Sequence, residues 1–449
     1  MFVGLDFGTS NSSVGVFEDN RLQLFKLDSA NVNPYVMPSY TYITRDQQIY
    51  VGVEAVQKFL EQETGRRPRW ERRNLGVLEM TVASDVSDAI TYYDDITVEI
   101  DVAAQGRLLQ SIKTGLRDPK YGGTQVFERY YSIEELIAIL LRQLREKCER
   151  EIKQPVWQVV IGRPVKYADD EETDVRAQQK MLEAARLAGF KEVVFELEPI
   201  GGAYLYHQQT AQREKIMVFD FGGGTLDMTV VEVGGSQPPV TIATHGVLLG
   251  GDDLTSALMR KLFRFFGENS RMADGLPFPA YIFSMLYSWQ NMVELSRPQF
   301  APIFKSARDG SDPDGIQRLE TLINQKLGFQ LLRDLDQLKI KLSKDYYAWL
   351  DFNRGDLQLK ELILRSRFEE LIQQDVERVD RAVDELLKKS GLQNNQIQAV
   401  LRTGGSSEIP IFINLLADRF GLEKIKNIDP LTTVVGGLAV KGYELSRAA

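Results

Sequence analysis

Two stretches decide the fold of this chain: Phe2-Val3-Gly4-Leu5-Asp6-Phe7-Gly8-Thr9-Ser10 and Ile216-Met217-Val218-Phe219-Asp220-Phe221-Gly222-Gly223-Gly224-Thr225. Each begins as an apolar strand, continues through Asp-Phe-Gly into a turn rich in Gly and Thr, and leads into a second apolar strand. Each stretch therefore predicts a β-hairpin with a carboxylate, Asp6 or Asp220, where its first strand ends.

A second matched pair follows each hairpin at a distance. The apolar segment Trp157–Gly162 predicts a strand, followed by a helix from about Asp169 to Ala188. The segment Ile397–Leu401 predicts another strand, followed by a helix from about Pro410 to Phe420. Each half of the chain thus contains a hairpin sheet and later βα units, which indicates two related α/β lobes facing each other across a cleft.

The remaining segments are interpreted as insertions into the two lobes. The first lobe is predicted to span residues 1–212, with an inserted subdomain of short strands over about 40–132. The second lobe is predicted to span residues 213–449, with a mostly helical insertion over about 253–364. A single long helix is expected from about Arg365 to Ser390, because its apolar residues follow helical spacing.

The composition excludes several classes of protein. The chain has 449 residues, 54 Lys and Arg, 63 Asp and Glu, and a formal charge of −9, which argues against nucleic acid as the main partner. A single cysteine, Cys148, excludes an internal disulfide, and two histidines are too few for a His-based zinc site. The basic run 66–73 is interpreted as exposed surface rather than an RNA-binding patch. No signal peptide or membrane span is predicted, so a cytoplasmic location is expected.

The two hairpin turns suggest a polyphosphate site. Tight Gly/Thr turns direct backbone N–H groups at an anion, and Gly is needed where a side chain would block the phosphate oxygens. Asp6 and Asp220 lie where a hydrated Mg²⁺ would bridge phosphates, since Mg²⁺ favours one or two carboxylates plus water. A third turn, Thr403-Gly404-Gly405-Ser406, opens onto a helix and could hold the sugar and base of a nucleotide. Each turn alone is weak support; their combination predicts nucleotide binding.

With these motifs, the sequence resembles the actin-like ATPase superfamily and, within it, the ATPase domain of the DnaK-type heat-shock chaperones. The resemblance runs through the whole chain and implies ribonuclease H-like duplicated lobes with two inserted subdomains. The matching segments are 4–12 and 220–227 as the two phosphate loops, Leu197-Glu198-Pro199, Leu249-Gly250-Gly251-Asp252-Asp253, 338–343, 367–371 and 404–410.

The resemblance implies a role for each matching residue. Lys113, Glu198, Asp220 and Asp227 would form the catalytic set, and Asp6 and Asp220 would hold Mg²⁺ through water. A Lys at position 113 would neutralise charge on the γ-phosphoryl group. The residues expected to contact ATP or ADP are Gly8, Thr9, Ser10, Asn11, Gly222, Gly223, Gly224, Thr225, Gly250, Gly251, Asp336, Lys339, Ser343, Gly404, Gly405, Ser406 and Ile409.

Two departures from the family pattern change the expectation. The family clamps adenine between two Arg side chains, and the matching positions are Ile340 and Glu408, so stacking on the base should be weaker. The last predicted helix, about Leu431–Leu445, is followed by four residues, whereas the family continues into a peptide-binding domain. The chain is therefore similar to the short, YegD-like branch that lacks this domain.

The expected function is that of a stand-alone, slow, Mg-dependent ATPase whose lobes close on ATP and reopen after hydrolysis. The partner would be a protein, such as a co-chaperone or exchange factor bound to the helical insertion. A non-catalytic ATP/ADP sensor is the main alternative. A small-molecule kinase and an actin-like filament protein are weaker alternatives, because the motifs match the chaperone branch.

Overall fold

The computed structural model describes residues 1–19, 21–82, 90–428 and 430–448. The strands are β1 (Phe2–Phe7), β2 (Asn11–Glu18), β3 (Arg21–Leu24), β4 (Met37–Pro38), β5 (Tyr40–Thr44), β6 (Ile49–Val51), β7 (Trp70–Val82), β8 (Ile90–Asp101), β9 (Gly106–Gln110), β10 (Gly123–Val126), β11 (Arg129–Ser132), β12 (Gln158–Arg163), β13 (Glu192–Leu197), β14 (Glu214–Phe221), β15 (Leu226–Val233), β16 (Val240–Val247), β17 (Tyr347–Arg354), β18 (Leu357–Leu364), β19 (Ala399–Thr403) and β20 (Ile425–Asn427).

The helices connect and cover these strands. They are α1 (Gly52–Glu63), α2 (Ile133–Ile152), α3 (Glu171–Leu187), α4 (Glu198–Gln209), α5 (Gly251–Leu262), α6 (Ala280–Met285), α7 (Trp289–Glu294), α8 (Ala301–Arg308), α9 (Pro313–Asn324), α10 (Gly328–Lys344), α11 (Arg365–Leu371), α12 (Gln373–Ser390), α13 (Pro410–Phe420) and α14 (Pro430–Ala448). Within the described ranges, no helix is both long enough and apolar enough to cross a membrane.

Two sheets of matching topology form the framework. The first has the order β13-β12-β1-β2-β3, and the second has the order β20-β19-β14-β15-β16. In each sheet an antiparallel meander of three strands is extended by two parallel strands on the side of its first strand. The two lobes share this order, which confirms the predicted duplicated α/β fold.

The two predicted hairpins are present and have the same turn. Asp6 pairs with Ser13 across the first hairpin, and Asp220 pairs with Asp227 across the second. The N–H of Gly8 donates to the carbonyl oxygen of Asn11 at 3.0 Å, and the N–H of Gly222 donates to that of Thr225, also at 3.0 Å. The repeat seen in the sequence is therefore a repeat of backbone geometry.

The two insertions contact each other. A small apolar cluster joins Phe59 and its neighbours from the first insertion to Trp289 and Phe329 from the second. The Phe59 ring centroid lies 5.4 Å from that of Trp289 and 5.3 Å from that of Phe329. The indole N–H of Trp289 also donates to Oε1 of Gln110 at 2.8 Å.

A buried ion cluster lies beside the aromatic cluster. Nζ of Lys326, from the second insertion, is 2.9 Å from Oε2 of Glu63 and 3.1 Å from Oδ2 of Asp101, both from the first. Arg66 pairs with the same two carboxylates. We call the aromatic and ionic contacts together the interlobe clasp: Phe59, Glu63, Arg66, Asp101, Trp289, Lys326 and Phe329.

Helix α14 packs on the first sheet, against β1, β2 and β12, and on α4. A methyl group on Gly4 would overlap the backbone nitrogen of Ala439, and one on Gly437 would overlap the carbonyl oxygen of Gly201. Glycine is needed at these positions because the helix and its neighbour are in backbone contact.

The predicted boundary between the lobes, at residues 212 and 213, falls between α4 and β14 and stays a prediction. Helix α14 lies in the predicted second lobe, but its packing associates it with the first sheet.

The expected helix over residues 365–390 was wrong as a single element. It consists of α11 and α12, which meet at Ile372, where φ is −100° and ψ is 11°. Ile372 is itself fully buried, so the chain changes direction without interrupting the apolar pattern. Burial of this residue explains why sequence periodicity could not show the break.

Candidate active site

The facing ends of the two hairpins line one cleft between the lobes. The first lobe contributes both its phosphate loop and the segments around Lys113, Pro164 and Glu198. The lining residues predicted from the sequence are Asp6, Gly8, Thr9, Ser10, Asn11, Lys113, Glu198, Asp220, Gly222, Gly223, Gly224, Thr225, Gly404 and Gly405. The structure therefore brings most of the predicted site together.

The two phosphate loops approach each other closely. A methyl group on Gly223 would lie 2.5 Å from Oγ of Ser10, and one on Gly224 would lie 2.8 Å from Oγ1 of Thr9. Any larger residue at positions 223 and 224 would push the hydroxyl groups away. The two glycines let donors from both lobes converge on one small volume, as a polyphosphate site requires.

Lys113 and Glu198 form an ion pair at the cleft. Nζ of Lys113 donates to Oε1 of Glu198 at 2.7 Å, and the side chains are 9% and 12% exposed. Lys113 lies on a 3₁₀ helix, Ile112–Arg117. Glu198 is the first residue of α4, directly after the end of β13. A carboxylate at a helix N-terminus is favoured by the helix dipole, and the Lys ammonium adds a direct partner.

Three aspartates of the site have raised pKa values. Burial, followed by the nearby charge of Glu198, raises the pKa of Asp6 to about 7. The same two causes raise the pKa of Asp227 to about 7, and they also hold the pKa of Asp220 well above its usual range, with added repulsion from Asp227 and Asp6. The site therefore concentrates negative charge that a cation would relieve.

Asp227 differs from the other predicted catalytic residues because it does not line the cleft. It is 1% exposed, and its Oδ1 accepts a hydrogen bond of 2.7 Å from the N–H of Val165. It pairs with Asp220 across the second hairpin. Asp227 therefore lies behind Asp220 and joins the second phosphate loop to the segment that follows β12.

The residues present fit a magnesium ion held largely through water. Asp6 and Asp220 come from facing hairpins and line the same cleft. No group of three or more His, Cys, Asp or Glu able to hold a metal occurs in the described part of the chain. The described side chains would therefore not coordinate the ion without water or phosphate ligands. Mg²⁺ commonly keeps several waters and uses one or two carboxylates plus substrate phosphates.

Four predicted contacts near the third turn form a connected network but are not among the residues that line the cleft: Gly251, Asp336, Lys339 and Ser406. Nζ of Lys339 donates to the carbonyl oxygen of Gly251 at 2.8 Å and pairs with Asp336 at 2.8 Å. Oγ of Ser406 donates to the carbonyl oxygen of Gly222 at 3.1 Å. The N–H of Gly251 donates to that same oxygen at 3.0 Å. These residues support the second phosphate loop from behind.

The remaining predicted contacts, Gly250, Ser343 and Ile409, also lie outside the cleft lining. Oγ of Ser343 donates to the backbone carbonyl of Lys339 at 3.1 Å, and Ile409 is 2% exposed within the core of the second lobe. Ile340 is 44% exposed. Glu408 lies 3.5 Å from the guanidinium of Arg402. Gly250 precedes α5, where its N–H donates to Oδ2 of Asp253 at 2.8 Å.

The predicted site residues did not include five polar residues of the cleft lining: Thr114, Arg117, Lys166, Tyr167 and Thr403. Of these, only Thr403 belongs to a turn that the sequence had indicated as part of the site. The buried hydroxyl of Thr403 forms no hydrogen bond with any described residue, although Thr403 lies opposite Asp220 in the sheet. The position of Thr403 at the end of a parallel strand beside Asp220 is the signal that could have revealed it. Arg117 follows Lys113 on the same short helix, but a single Arg there belongs to no sequence motif.

Comparisons with known proteins agree with this geometry. A family model described as "Hsp70 protein" matches residues 92–275 and 316–448. A "Chaperone protein DnaK" of Thermoplasma acidophilum is 23% identical over 445 residues, covering 99% of this chain and 58% of that protein. A protein of the same description from Thermus thermophilus is 24% identical over 441 residues, covering 98% of this chain and 60% of that protein. The chain thus spans less than two thirds of the length of these relatives.

Proposed function

The chain belongs to the Hsp70 family, and on that premise we propose that it binds Mg-ATP in the interlobe cleft and slowly hydrolyses it to ADP and phosphate. The observation that carries the proposal is the convergence of two phosphate loops on the Lys113–Glu198 pair. A site that only bound nucleotide would need the loops, but a buried Lys and Glu held together between them suits chemistry.

The residues of the cleft divide the work. Thr9 and Ser10 would present hydroxyl groups from one lobe, and the backbone of Gly223–Thr225 would present N–H groups from the other. The Lys113 ammonium would offset negative charge on the γ-phosphoryl group, and Glu198, beside it, would orient the attacking water. Asp227 would hold that arrangement in place through Asp220 and Val165.

Asp6 and Asp220 would hold Mg²⁺, through water, beside the phosphates. The ion, when bound, would draw electron density from the phosphate oxygens and favour the ionised form of both carboxylates. The hydroxyl of Thr403, which forms no hydrogen bond with the described residues, belongs to the residue paired with Asp220 and would bond to a water in this shell.

Base recognition is proposed to be weak. Ile340 offers no cation to stack on a purine, and Glu408 is drawn toward Arg402. Affinity would then come mainly from the phosphates, with loose selectivity for the base.

We also propose that a protein partner, such as a co-chaperone or exchange factor, binds the helical insertion. The partner would respond to the motion of the lobes.

The test is phosphate release by the purified protein with Mg-ATP, compared with the Asp220→Ala variant and with wild-type protein in EDTA. Wild type should release phosphate, and both controls should release little. Equal release from wild type and Asp220→Ala would contradict the ATPase proposal. Calorimetry that shows ATP binding without turnover would instead favour a nucleotide sensor.

A further inference from the structure

Among the described residues, three cationic side chains line the cleft, and one of these three forms no ion pair with a described carboxylate. Lys113 pairs with Glu198, and Lys166 pairs with Asp169. Arg117 forms no ion pair with any described residue. Its Nη2 instead donates to the neutral carbonyl oxygen of Gly224 at 2.7 Å. The guanidinium of Arg117 is therefore the cation whose charge is least compensated at the site.

The position of Arg117 is at the junction of the two phosphate loops. Its Nη2 lies 3.0 Å from the point that a methyl group on Gly224 would occupy, and Oγ1 of Thr9 lies 2.8 Å from the same point. Arg117 belongs to the first lobe and Gly224 to the second. One side chain thus contacts the second phosphate loop and lies against the first.

The surroundings of Arg117 are those of an anion ligand rather than a surface side chain. Burial lowers its pKa, and the acidic groups that act on it, including Asp227 and Asp253, do so without forming an ion pair. A guanidinium has five N–H donors in a planar fork that matches the oxygens of a phosphate group. The single bond to Gly224 uses one of these donors.

We infer that Arg117 is a further catalytic residue, whose guanidinium binds the γ-phosphoryl group when the two lobes are closed. This inference rests on the proposed ATPase function. In that reaction a water oxygen bonds to the γ-phosphorus as the bond to the β,γ-bridging oxygen breaks. ADP keeps the electron pair of that bond, one water proton stays on inorganic phosphate, and the other is released to solvent. Arg117 offsets charge on the γ-phosphoryl oxygens throughout.

The experiment compares wild type with Arg117→Ala, Arg117→Lys and a control, Arg129→Ala, whose side chain is 53% exposed on the first lobe. Single-turnover hydrolysis and calorimetric affinities for ADP and the non-hydrolysable analogue AMP-PNP are measured. Arg117→Ala should slow hydrolysis by about 10²–10³-fold, as loss of one preorganised donor does. It should weaken AMP-PNP more than ADP, since only AMP-PNP has a γ-phosphoryl group. Arg117→Lys should be intermediate, and Arg129→Ala should match wild type.

Two results would overturn the inference and leave the proposed function standing. One is an Arg117→Ala variant with the wild-type rate and the wild-type ratio of AMP-PNP to ADP affinity. The other is an equal loss of affinity for both nucleotides with a lowered Tm, which would make Arg117 a brace between the lobes. If wild type binds nucleotide without turnover, the affinity ratio alone decides. Wild-type protein that binds neither nucleotide would overturn the proposed function and this inference together.

Discussion

Nζ of Lys113 lies 2.7 Å from Oε1 of Glu198, although 85 residues separate the two in sequence. The first comes from a 3₁₀ helix within the predicted inserted subdomain, and the second from the helix that follows β13. Both side chains are largely removed from solvent. Each charge therefore depends on the other, because a buried ion without its partner keeps the cost of desolvation.

This dependence separates stability from activity. Lys113→Met should abolish most phosphate release and lower the free energy of unfolding, since breaking a buried ion pair costs about 3–5 kcal/mol. The double variant Lys113→Met/Glu198→Gln should recover much of that stability and none of the activity. Urea unfolding followed by fluorescence and a phosphate-release assay would measure the two effects. A double variant as unstable as the single one would contradict this account of the pair.

The raised pKa values of the site aspartates predict a pH dependence in the metal-free and nucleotide-free protein. Asp6 and Asp227 have pKa values of about 7 in the fold, against 3.8 as the ordinary value. Between about pH 4 and pH 7 the folded protein then binds protons that the unfolded chain has lost, so these groups make stability fall as pH rises. The fall should level off above pH 7.

Asp227→Asn isolates this effect. The variant keeps an oxygen that can accept the hydrogen bond from the N–H of Val165, but its side chain cannot ionise. Its Tm should therefore fall less than the wild-type Tm between pH 5 and pH 8. The Tm difference between variant and wild type should grow in favour of the variant toward pH 8. Scanning calorimetry in EDTA at several pH values measures this difference. A Tm difference that is constant with pH would show that Asp227 does not titrate in this range.

The interlobe clasp predicts control of nucleotide release. Phe59 and Trp289 join the two predicted insertions, so their contact must break for the insertions to separate. Trp289→Ala and Phe59→Ala should each speed release of a fluorescent ADP. Loss of about 1.4 kcal/mol from the closed state would give a tenfold faster rate.

The matched control for the clasp is Trp349→Ala, because Trp349 is 51% exposed on the strand β17. Stopped-flow fluorescence with excess unlabelled ATP measures release. The two clasp variants, although they alter opposite lobes, should behave alike, and the control should match wild type. Release at the wild-type rate from both clasp variants would show that the lobes open without breaking this contact.

Base recognition gives a further prediction. Replacing Ile340 with Arg should tighten ADP binding by about 2–5-fold, the effect of a cation–π contact worth about 0.5–1 kcal/mol at an exposed site. Ile340→Leu should leave ADP affinity unchanged. Tripolyphosphate, which has no base, serves as the control ligand. Calorimetry showing equal gains for ADP and tripolyphosphate would mean that the new charge acts on the phosphates instead.

Local patterns in the sequence predicted the framework well. Asp6 and Asp220 lie at matching places in two hairpins because alternating apolar residues and Gly-rich turns are short-range signals. The family was predicted correctly from the same loops, since their spacing is specific. Lys113 was located only because the segment 111–113 resembles the surroundings of the family's catalytic Lys. Its contact with Glu198 could not be predicted from the sequence.

The sequence could not predict features that depend on which surfaces meet. Arg117 reaches the cleft because of how the lobes pack, and it belongs to no repeating pattern. Lys326 looks like an ordinary charged residue between two helices, yet it is buried against two carboxylates of the other insertion. Contacts between segments that are distant in sequence decide these roles, and such contacts cannot be predicted from one sequence alone.

The packing of α14 on β1 has a consequence for how the chain is made. Phe2 and Val160 share a small apolar cluster with Val434 and Leu438, so Phe2 is covered by residues translated more than four hundred positions after it. On the ribosome, the first sheet could form its hydrogen bonds early but would wait, partly uncovered, for the last helix described. Contacts of such long sequence separation slow folding and leave apolar surface open to aggregation. A member of a chaperone family would thus emerge as a nascent chain in need of protection.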